Sequence, residues 1–435
     1  MQPSLTPTAL SQGTSNRVQL IDILRGFALL GIVINHAANA YLAGATPAGK
    51  ENFNIHNPAD GVMNFLALLL TFGKFFTIFS FLFGLSFAIQ LENAAGKNQP
   101  FTIRFLWRLL ILFAIGFVHN LFYSGDILVV YAALGVFLLP ARLLSNKWVL
   151  AVALLLVLNV PAAINDTVAL ASPATGTPAP AGPPPEIMAR AAEEFRIKSS
   201  GTLPELVRMN AASGLQDKFS FQIMTGRLSI TFGLFLLGMY AWRNKLFVYT
   251  EKNRRFFKRL LWISGVATLA ATAGVLTLGM SFGGRPTIPQ AIGNFCLSIH
   301  QAALSTFYVS LLVVLYWKKG SKSRLSIFAP VGKIGLSTYL MQTAFGLLLF
   351  YGIGLGGMEK IGITTAVALA IAFFVMQVFF ARWWTQHFQF GLAEWLWRSL
   401  TYGRVQPLRK KQQAPAPVTS INPSVIVLDS KTPAP

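Results

Sequence analysis

An arginine and a histidine stand eleven residues apart inside one hydrophobic run, Arg25 and His36 in the stretch 24–36. On a helix of 3.6 residues per turn, eleven residues make about three turns and a rise of roughly 16 Å, so both side chains point the same way at different depths. Bilayers tolerate ionisable side chains poorly, and those that remain face a bundle interior or a water-filled cavity and mark candidate sites. Arg25 would supply an anion-binding fork. His36 would supply a base that is neutral at physiological pH. Asp22, three residues before Arg25, can pair with it along one helix face. The plainer reading of Arg25 is a side chain snorkelling at the membrane edge.

Further groups of this kind follow. Lys74 lies deep in a second apolar run, in Thr71-Phe72-Gly73-Lys74-Phe75-Phe76-Thr77. A buried lysine must find a partner or lose its proton, and Asp126 or Asp22 could be that partner. His36, His56 and His119 all fall towards one side of the membrane, and His119 precedes Asp126 by seven residues across the turn Tyr123-Ser124-Gly125. Any of the three histidines could act as a general base or acyl acceptor, with Asp126 orienting it as a triad carboxylate does. Taken singly, each also fits a hydrogen-bonded structural histidine. No spacing resembles a metal-ligand motif, and Cys296, the single cysteine, can form no intrachain disulfide. His300 and Gln342 read as hydrogen-bonding groups between helices.

The elements that position these groups are membrane helices. The chain has 435 residues, 54% of them hydrophobic and only 12% charged, which excludes an ordinary soluble domain. Long unbroken apolar runs exclude the alternating strands of a membrane barrel. The net charge of +21 is no nucleic-acid signature, because the basic residues form short clusters between apolar runs. Ten apolar spans are predicted, at about 20–42, 62–91, 103–123, 125–141, 147–164, 227–243, 257–281, 291–317, 329–352 and 361–383. With a cytoplasmic N-terminus, 25 of the 36 basic residues fall on the inside, against 3 in the short outside loops. The expectation is an all-α, polytopic protein of about ten transmembrane helices with both termini cytoplasmic.

Five helices would form an N-terminal bundle at 17–164, and five more with an interfacial helix a C-terminal bundle at 227–404. Between them, 165–226 reads as an external loop with short helices at Glu186–Phe195 and Leu203–Ala212, either a lid or a solvated connection. Residues 1–16 and 405–435 read as disordered cytoplasmic ends. The first span has signal-peptide character in Phe27–Ile34 and the small residues after it; cleavage would discard Arg25 and His36, and the span is read as retained. The stretch Phe388–Tyr402 reads as a helix lying on the membrane surface.

These landmarks resemble the YeiB-type family of bacterial membrane proteins, whose function is unknown. The resemblance spans most of 17–405 and is carried by four regions: Asp22–Gly31; Lys74–Gly84; His119–Gly135 around Ser124-Gly125-Asp126-Ile127-Leu128; and Ser337–Gln342 with Phe350-Tyr351-Gly352, continuing to Glu394–Gly403. That family is thought to be related to transmembrane acyltransferases, among them the bacterial envelope-glycan O-acyltransferases and the heparan glucosaminide N-acetyltransferases. The O-acyltransferases carry an Arg, ten residues, then a His in their first helix, and Arg25 and His36 reproduce that spacing. YeiB-type proteins commonly have Asn where His36 stands; here the asparagine, Asn35, comes one place earlier. Heparan-type enzymes place their catalytic histidine in the following outside loop, and His56 followed by Gly61 resembles that placement. His36 and His56 therefore compete for the catalytic role, and a third possibility is that neither is catalytic.

The resemblance and the residues together imply an integral membrane acyltransferase of the bacterial plasma membrane. An acyl group would pass from cytoplasmic acyl-CoA, as co-substrate, to an envelope glycan or lipid. His36 or His56 would serve as base, Asp126 and His119 as its orienting pair. Arg25, Asn35, Lys74, Arg104 and Arg108 would contact substrate, the arginines at the CoA phosphates and Lys74 at the thioester oxygen. No tightly bound cofactor, no metal and no nucleic acid are expected; the bilayer is the expected partner. The competing reading is a multi-pass, proton-coupled transporter, which would use similar buried charges.

Overall fold

The computed structural model describes residues 7–96, 100–172, 185–281, 285–318 and 324–410, with side chains from residue 19 onward. Residues 1–6 of the polar N-terminus and 411–435 of the tail lie outside the described residues. Every regular element among the described residues is helical, as expected. In chain order the helices begin with α1 (Pro7–Ala38), α2 (Pro58–Leu70), α3 (Phe75–Ala95), α4 (Thr102–Phe122), α5 (Leu128–Gly135) and α6 (Leu138–Ala141). They continue with α7 (Asn146–Val157), α8 (Val160–Ala171), α9 (Pro185–Ser200), α10 (Leu203–Met224), α11 (Arg227–Arg243) and α12 (Glu251–Leu278). The last five are α13 (Ile288–Tyr316), α14 (Ala329–Lys333), α15 (Gly335–Phe350), α16 (Ile363–His387) and α17 (Leu392–Tyr402).

Six helical segments are long and apolar enough to cross a membrane, and eight if each of two bent pairs is one span. The bent pairs are α7–α8, at 50°, and α10–α11, at 76°. The apolar faces point outward as lipid requires: on α12, Trp262, Ile263, Val266 and Leu269 are all exposed. The chain is a multi-pass helical membrane protein. Of the ten spans expected, 125–141 is broken into α5 and α6, and 329–352 into α14 and α15. Both broken legs still run the depth of the bundle. At one end of the first, Asp126 bonds His119 of α4; at its other end, Arg142 donates to Thr102 Oγ1 at the start of α4 (3.1 Å). The second begins with Gly332 beside Arg25 and ends with Tyr351 donating to the Tyr41 carbonyl (3.1 Å).

The long second span, 62–91, breaks between α2 and α3 at Thr71–Lys74. Gly73 supplies the left-handed turn, φ +76°. A break inside a bilayer frees carbonyl groups that must be satisfied by protein. Lys74 Nζ donates to the Leu68 carbonyl (3.0 Å), and Ser305 Oγ of α13 donates to the Lys74 carbonyl (3.0 Å).

Helix α1 is the axis of the fold. It packs against α2, α3, α14, α15 and α16, and Leu20, Ile23, Leu24, Ala28, Leu29 and Val33 are fully buried. Outside this axis, α3 packs on α11, α11 on α7, and α12 pairs with α13. The segment read as an external loop is largely helical. Its helix α10 extends to Met224 rather than Ala212, and packs along α4.

Candidate functional site

A cavity of about 2490 Å3 runs along α1 through the interior. At one end its wall is basic. Arg25 projects from α1, and its guanidinium donates to Asp22 Oδ1 (2.8 Å) and to the Gly332 carbonyl (3.1 Å). Arg104 and Arg108, one turn apart on α4, line the same end together with Arg398 of α17. Aromatic rings hold these guanidinium groups in place: Arg108 lies 4.5 Å from the Trp397 ring centre, Arg104 5.6 Å and Arg398 5.3 Å from that of Tyr402. Glu394, the acid nearest by sequence, is engaged elsewhere. Its carboxylate accepts from the backbone N–H groups of Leu336 (2.6 Å) and Ser337 (3.2 Å) and from Ser337 Oγ (2.6 Å), capping the N-terminus of α15. Glu394 therefore serves as a helix cap beside this basic wall.

The opposite end carries His36. Its Nδ1 is 2.7 Å from the Tyr123 hydroxyl, and the Tyr41 ring lies beside it, tilted by 31° with ring centres 5.3 Å apart. No side chain among the described residues bonds Nε2, and His36 lines the cavity. In the tautomer whose Nδ1–H donates to the Tyr123 oxygen, Nε2 presents a free lone pair to the interior. Asn35 lines the cavity one position earlier, its Oδ1 accepting from Thr71 Oγ1 at 3.3 Å.

His119 and Asp126 do meet, as their spacing suggested, but as a closed clasp. His119 Nδ1 is 2.8 Å from Asp126 Oδ1, and its Nε2 is 2.9 Å from Thr343 Oγ1 of α15. The second carboxylate oxygen takes the Val129 backbone N–H (3.1 Å) and lies 3.5 Å from Lys218 Nζ. Lys218, on α10, also donates to Asn120 Oδ1 (2.6 Å). Four helices are thus tied at one carboxylate, which orients His119 and not His36. The same turn places Tyr123: the Asp126 N–H donates to the Tyr123 carbonyl at 3.2 Å.

Two residues named from sequence stand apart. His56 is exposed on the loop before α2; its Nε2 is 3.1 Å from the Glu359 carbonyl and it does not line the cavity. Lys74 is buried behind the cavity wall and pairs with neither Asp126 nor Asp22. Both carboxylates are already taken, by His119 and by Arg25, and the Leu68 carbonyl satisfies Lys74 instead.

Beyond the His36 end, α9 inserts the fully buried Lys198, which donates to the Ala43 carbonyl (2.7 Å), Ser124 Oγ (3.3 Å) and Glu194. Burial lowers the Lys198 ammonium pKa, and the adjacent Glu194 opposes that shift. Tyr123, Lys218 and Arg398 were not singled out from sequence. Tyr123 carried one signal, its place in the turn that Asp126 ends. Lys218 carried none, because its stretch read as solvated loop.

A family profile described as protein of unknown function, DUF418, matches residues 241–404. The chain is similar to the uncharacterized protein YxaH of Bacillus subtilis, 30% identical over 94% of this chain and 99% of that one. It is 28% identical to an uncharacterized 39.9 kDa protein in the amylase 3' region of Bacillus acidopullulyticus, over 94% of this chain and 100% of the relative. With the uncharacterized protein YeiB of Escherichia coli it shares 24% identity, over 90% and 98%. No solved structure matches the chain.

Proposed function

The chain belongs to the YeiB-type DUF418 family of proteins of unknown function, and we propose that it is an integral membrane acyltransferase. One observation carries this reading: a single cavity has a cluster of arginines at one end and, at the other, a histidine whose Nε2 has no hydrogen-bond partner among the described residues. A donor with phosphates at one end of a long arm and a thioester at the other, an acyl-CoA, fits that polarity. Arg25, Arg104 and Arg108 would hold the phosphates as charge-assisted contacts. The acyl carbonyl would reach His36, roughly 16 Å further along α1.

In this scheme His36 Nε2 accepts the proton of an acceptor hydroxyl or amine. The acceptor oxygen or nitrogen attacks the thioester carbonyl, the C–S bond breaks, and the CoA thiolate leaves with the proton from His36. Tyr123 holds the imidazole in the required tautomer. Asp126 and His119 position the turn that carries Tyr123, and Asn35 contacts substrate beside His36. His56, outside the cavity, takes no step, and neither does Lys74 behind its wall. The acceptor would be an envelope glycan or lipid.

The protein would lie in the bacterial plasma membrane with both termini cytoplasmic, as the excess of inside basic residues favours. Counting the α5–α6 and α14–α15 legs as passes gives ten crossings and puts Arg104 at the cytoplasmic face and His36 near the outer one. The test is release of CoA from radiolabelled acetyl-CoA by the purified protein. We expect His36→Ala to lower the rate about 10²- to 10⁴-fold and His56→Ala to leave it unchanged. Absence of both binding and turnover of acetyl-, propionyl- and succinyl-CoA would remove this reading.

A transporter is the second reading, favoured by the helix breaks at Thr71–Lys74, Leu158–Asn159 and Thr225–Gly226, each of which contributes to the cavity lining, through Thr71 and Gly73, Asn159, and Thr225. Broken helices beside a central cavity are the usual ligand stations of carriers. Solute uptake into proteoliposomes with no CoA binding would favour it.

A further inference from the structure

Two of the helix breaks meet. Helix α8 starts after Asn159 and α11 after Gly226; both caps are left-handed, φ +56° and +67°, and neither has a side-chain cap hydrogen bond. They touch, since a Cβ on Gly226 would fall 2.1 Å from Asn159 Oδ1. The N-terminal caps of two helices, of 12 and 17 residues, are therefore in contact, and helix N-termini favour anions.

The spot carries a cation as well. Arg227, the first residue of α11, lies about 5 Å from the ring centres of Phe72, Phe76 and Phe221. Among the described residues its guanidinium makes no hydrogen bond and no ion pair, and it lines the cavity. Two buried side chains here also lack partners: Asn159, 6% exposed, at Oδ1, and Gln222, 7% exposed and next to Phe221, at Oε1. Both line the cavity. A buried amide oxygen without a donor is costly, which points to a ligand that brings one. Asp166, two turns along α8, is engaged by Asn294 (3.1 Å). At the mouth, Phe221 and Met224 are exposed at 47% and 76% and also line the cavity. An apolar mouth on a membrane helix opens towards acyl chains.

We infer that the junction of α8 and α11 binds a phosphate group carrying hydroxyl donors, of the glycerophosphate kind. The phosphate sits between the two helix N-termini and Arg227, and the hydroxyls donate to Asn159 Oδ1 and Gln222 Oε1. The site stands on these contacts alone, whatever reaction the His36 end performs.

Two probes separate a lipid headgroup from a free phosphate: dioleoyl phosphatidylglycerol, followed by native mass spectrometry of the full-length protein in detergent, and sn-glycerol 3-phosphate, followed by calorimetry. Phosphatidylmethanol, which has the same charge and no headgroup hydroxyl, is the comparator. We expect phosphatidylglycerol to bind several-fold better than phosphatidylmethanol, a preference that Gln222→Leu erases. Arg227→Gln should weaken phosphatidylglycerol at least tenfold. Asn159→Asp should do the same while leaving the melting temperature equal or higher, because a carboxylate caps helix N-termini yet repels phosphate. That opposition separates a ligand site from a merely structural one. Binding of glycerol 3-phosphate alone, with the same Arg227 dependence, supports the phosphate site with a soluble source. The inference is overturned if neither probe binds, if binding ignores both Arg227→Gln and Asn159→Asp, or if phosphatidylmethanol binds equally well.

Discussion

His36 and His119 flank one tyrosine: the Tyr123 ring lies 5.4 Å from the first imidazole and 6.1 Å from the second. Their surroundings differ in one respect. Both ring nitrogens of His119 are committed, to Asp126 and Thr343, whereas His36 has a partner for one. A histidine beside an aspartate has the look of catalysis, yet here that pair is saturated and turned into the protein. The histidine without a carboxylate faces the cavity. Free valence towards an open volume separates a working imidazole from a structural one better than the company it keeps.

The comparison can be broken most severely at the clasp. Asp126→Ala strands the His119 Nδ1–H, the Val129 N–H and Lys218 in the interior. Removing one partner from a buried charged pair costs about 3–5 kcal/mol. We expect a fall in melting temperature on the order of 10 °C, followed by tryptophan fluorescence, while His36→Ala melts with the parent. Equal melting of Asp126→Ala and parent would refute the distinction. A smaller effect sharpens it from the other side: Tyr123→Phe removes the one bond to His36 and little packing. It should slow acetyl-CoA turnover about fivefold, for a hydrogen bond worth about 1 kcal/mol, with unchanged melting. The smallest effect lies on the rim. Glu205 accepts from the Thr202 N–H (2.7 Å), Thr202 Oγ1 (2.8 Å) and Arg196 (3.2 Å), which lower its carboxyl to about 2 from the usual 4.5. A depressed carboxyl stabilises the folded form above its ordinary pKa and loses that contribution as pH falls from 4.5 towards 2. Amide-exchange protection in the first turn of α10 should therefore weaken over that window relative to neutral pH, and Glu205→Gln should lack this dependence.

How far the site was legible in sequence depends on what each inference used. Arg25 and His36 both line the cavity because their relation is local, three turns of one helix. His119 and Asp126 meet for the same reason, seven residues apart across a tight turn. Lys74 and His56 depended on tertiary partners, which sequence spacing does not report. Lys74 found a carbonyl in its own helix break, and His56 was carried away with a loop anchored where Asp60 accepts from the Thr364 N–H (2.9 Å). Helix α10 was underread because its residues are mixed in polarity and it packs by polar bonds, such as Asn210 Nδ2 to the Leu121 carbonyl (3.0 Å). The membrane helices themselves were plain from apolar length. Their breaks were not, because a freed carbonyl can be satisfied from a distant helix, as Ser305 does for Lys74.

Glu394 gives the fold an order of assembly. Its carboxylate caps α15 from α17, and α17 also brings Trp397 and Tyr402 over Arg108 and Arg104. Helix α17 follows every other described helix in chain order, so during synthesis these contacts form after the bundle has inserted. Until then the arginine end of the cavity stands open and α15 begins with bare N–H groups. The last helix therefore works as a completion latch: a chain interrupted before it would insert into the bilayer, yet would carry an unfinished floor.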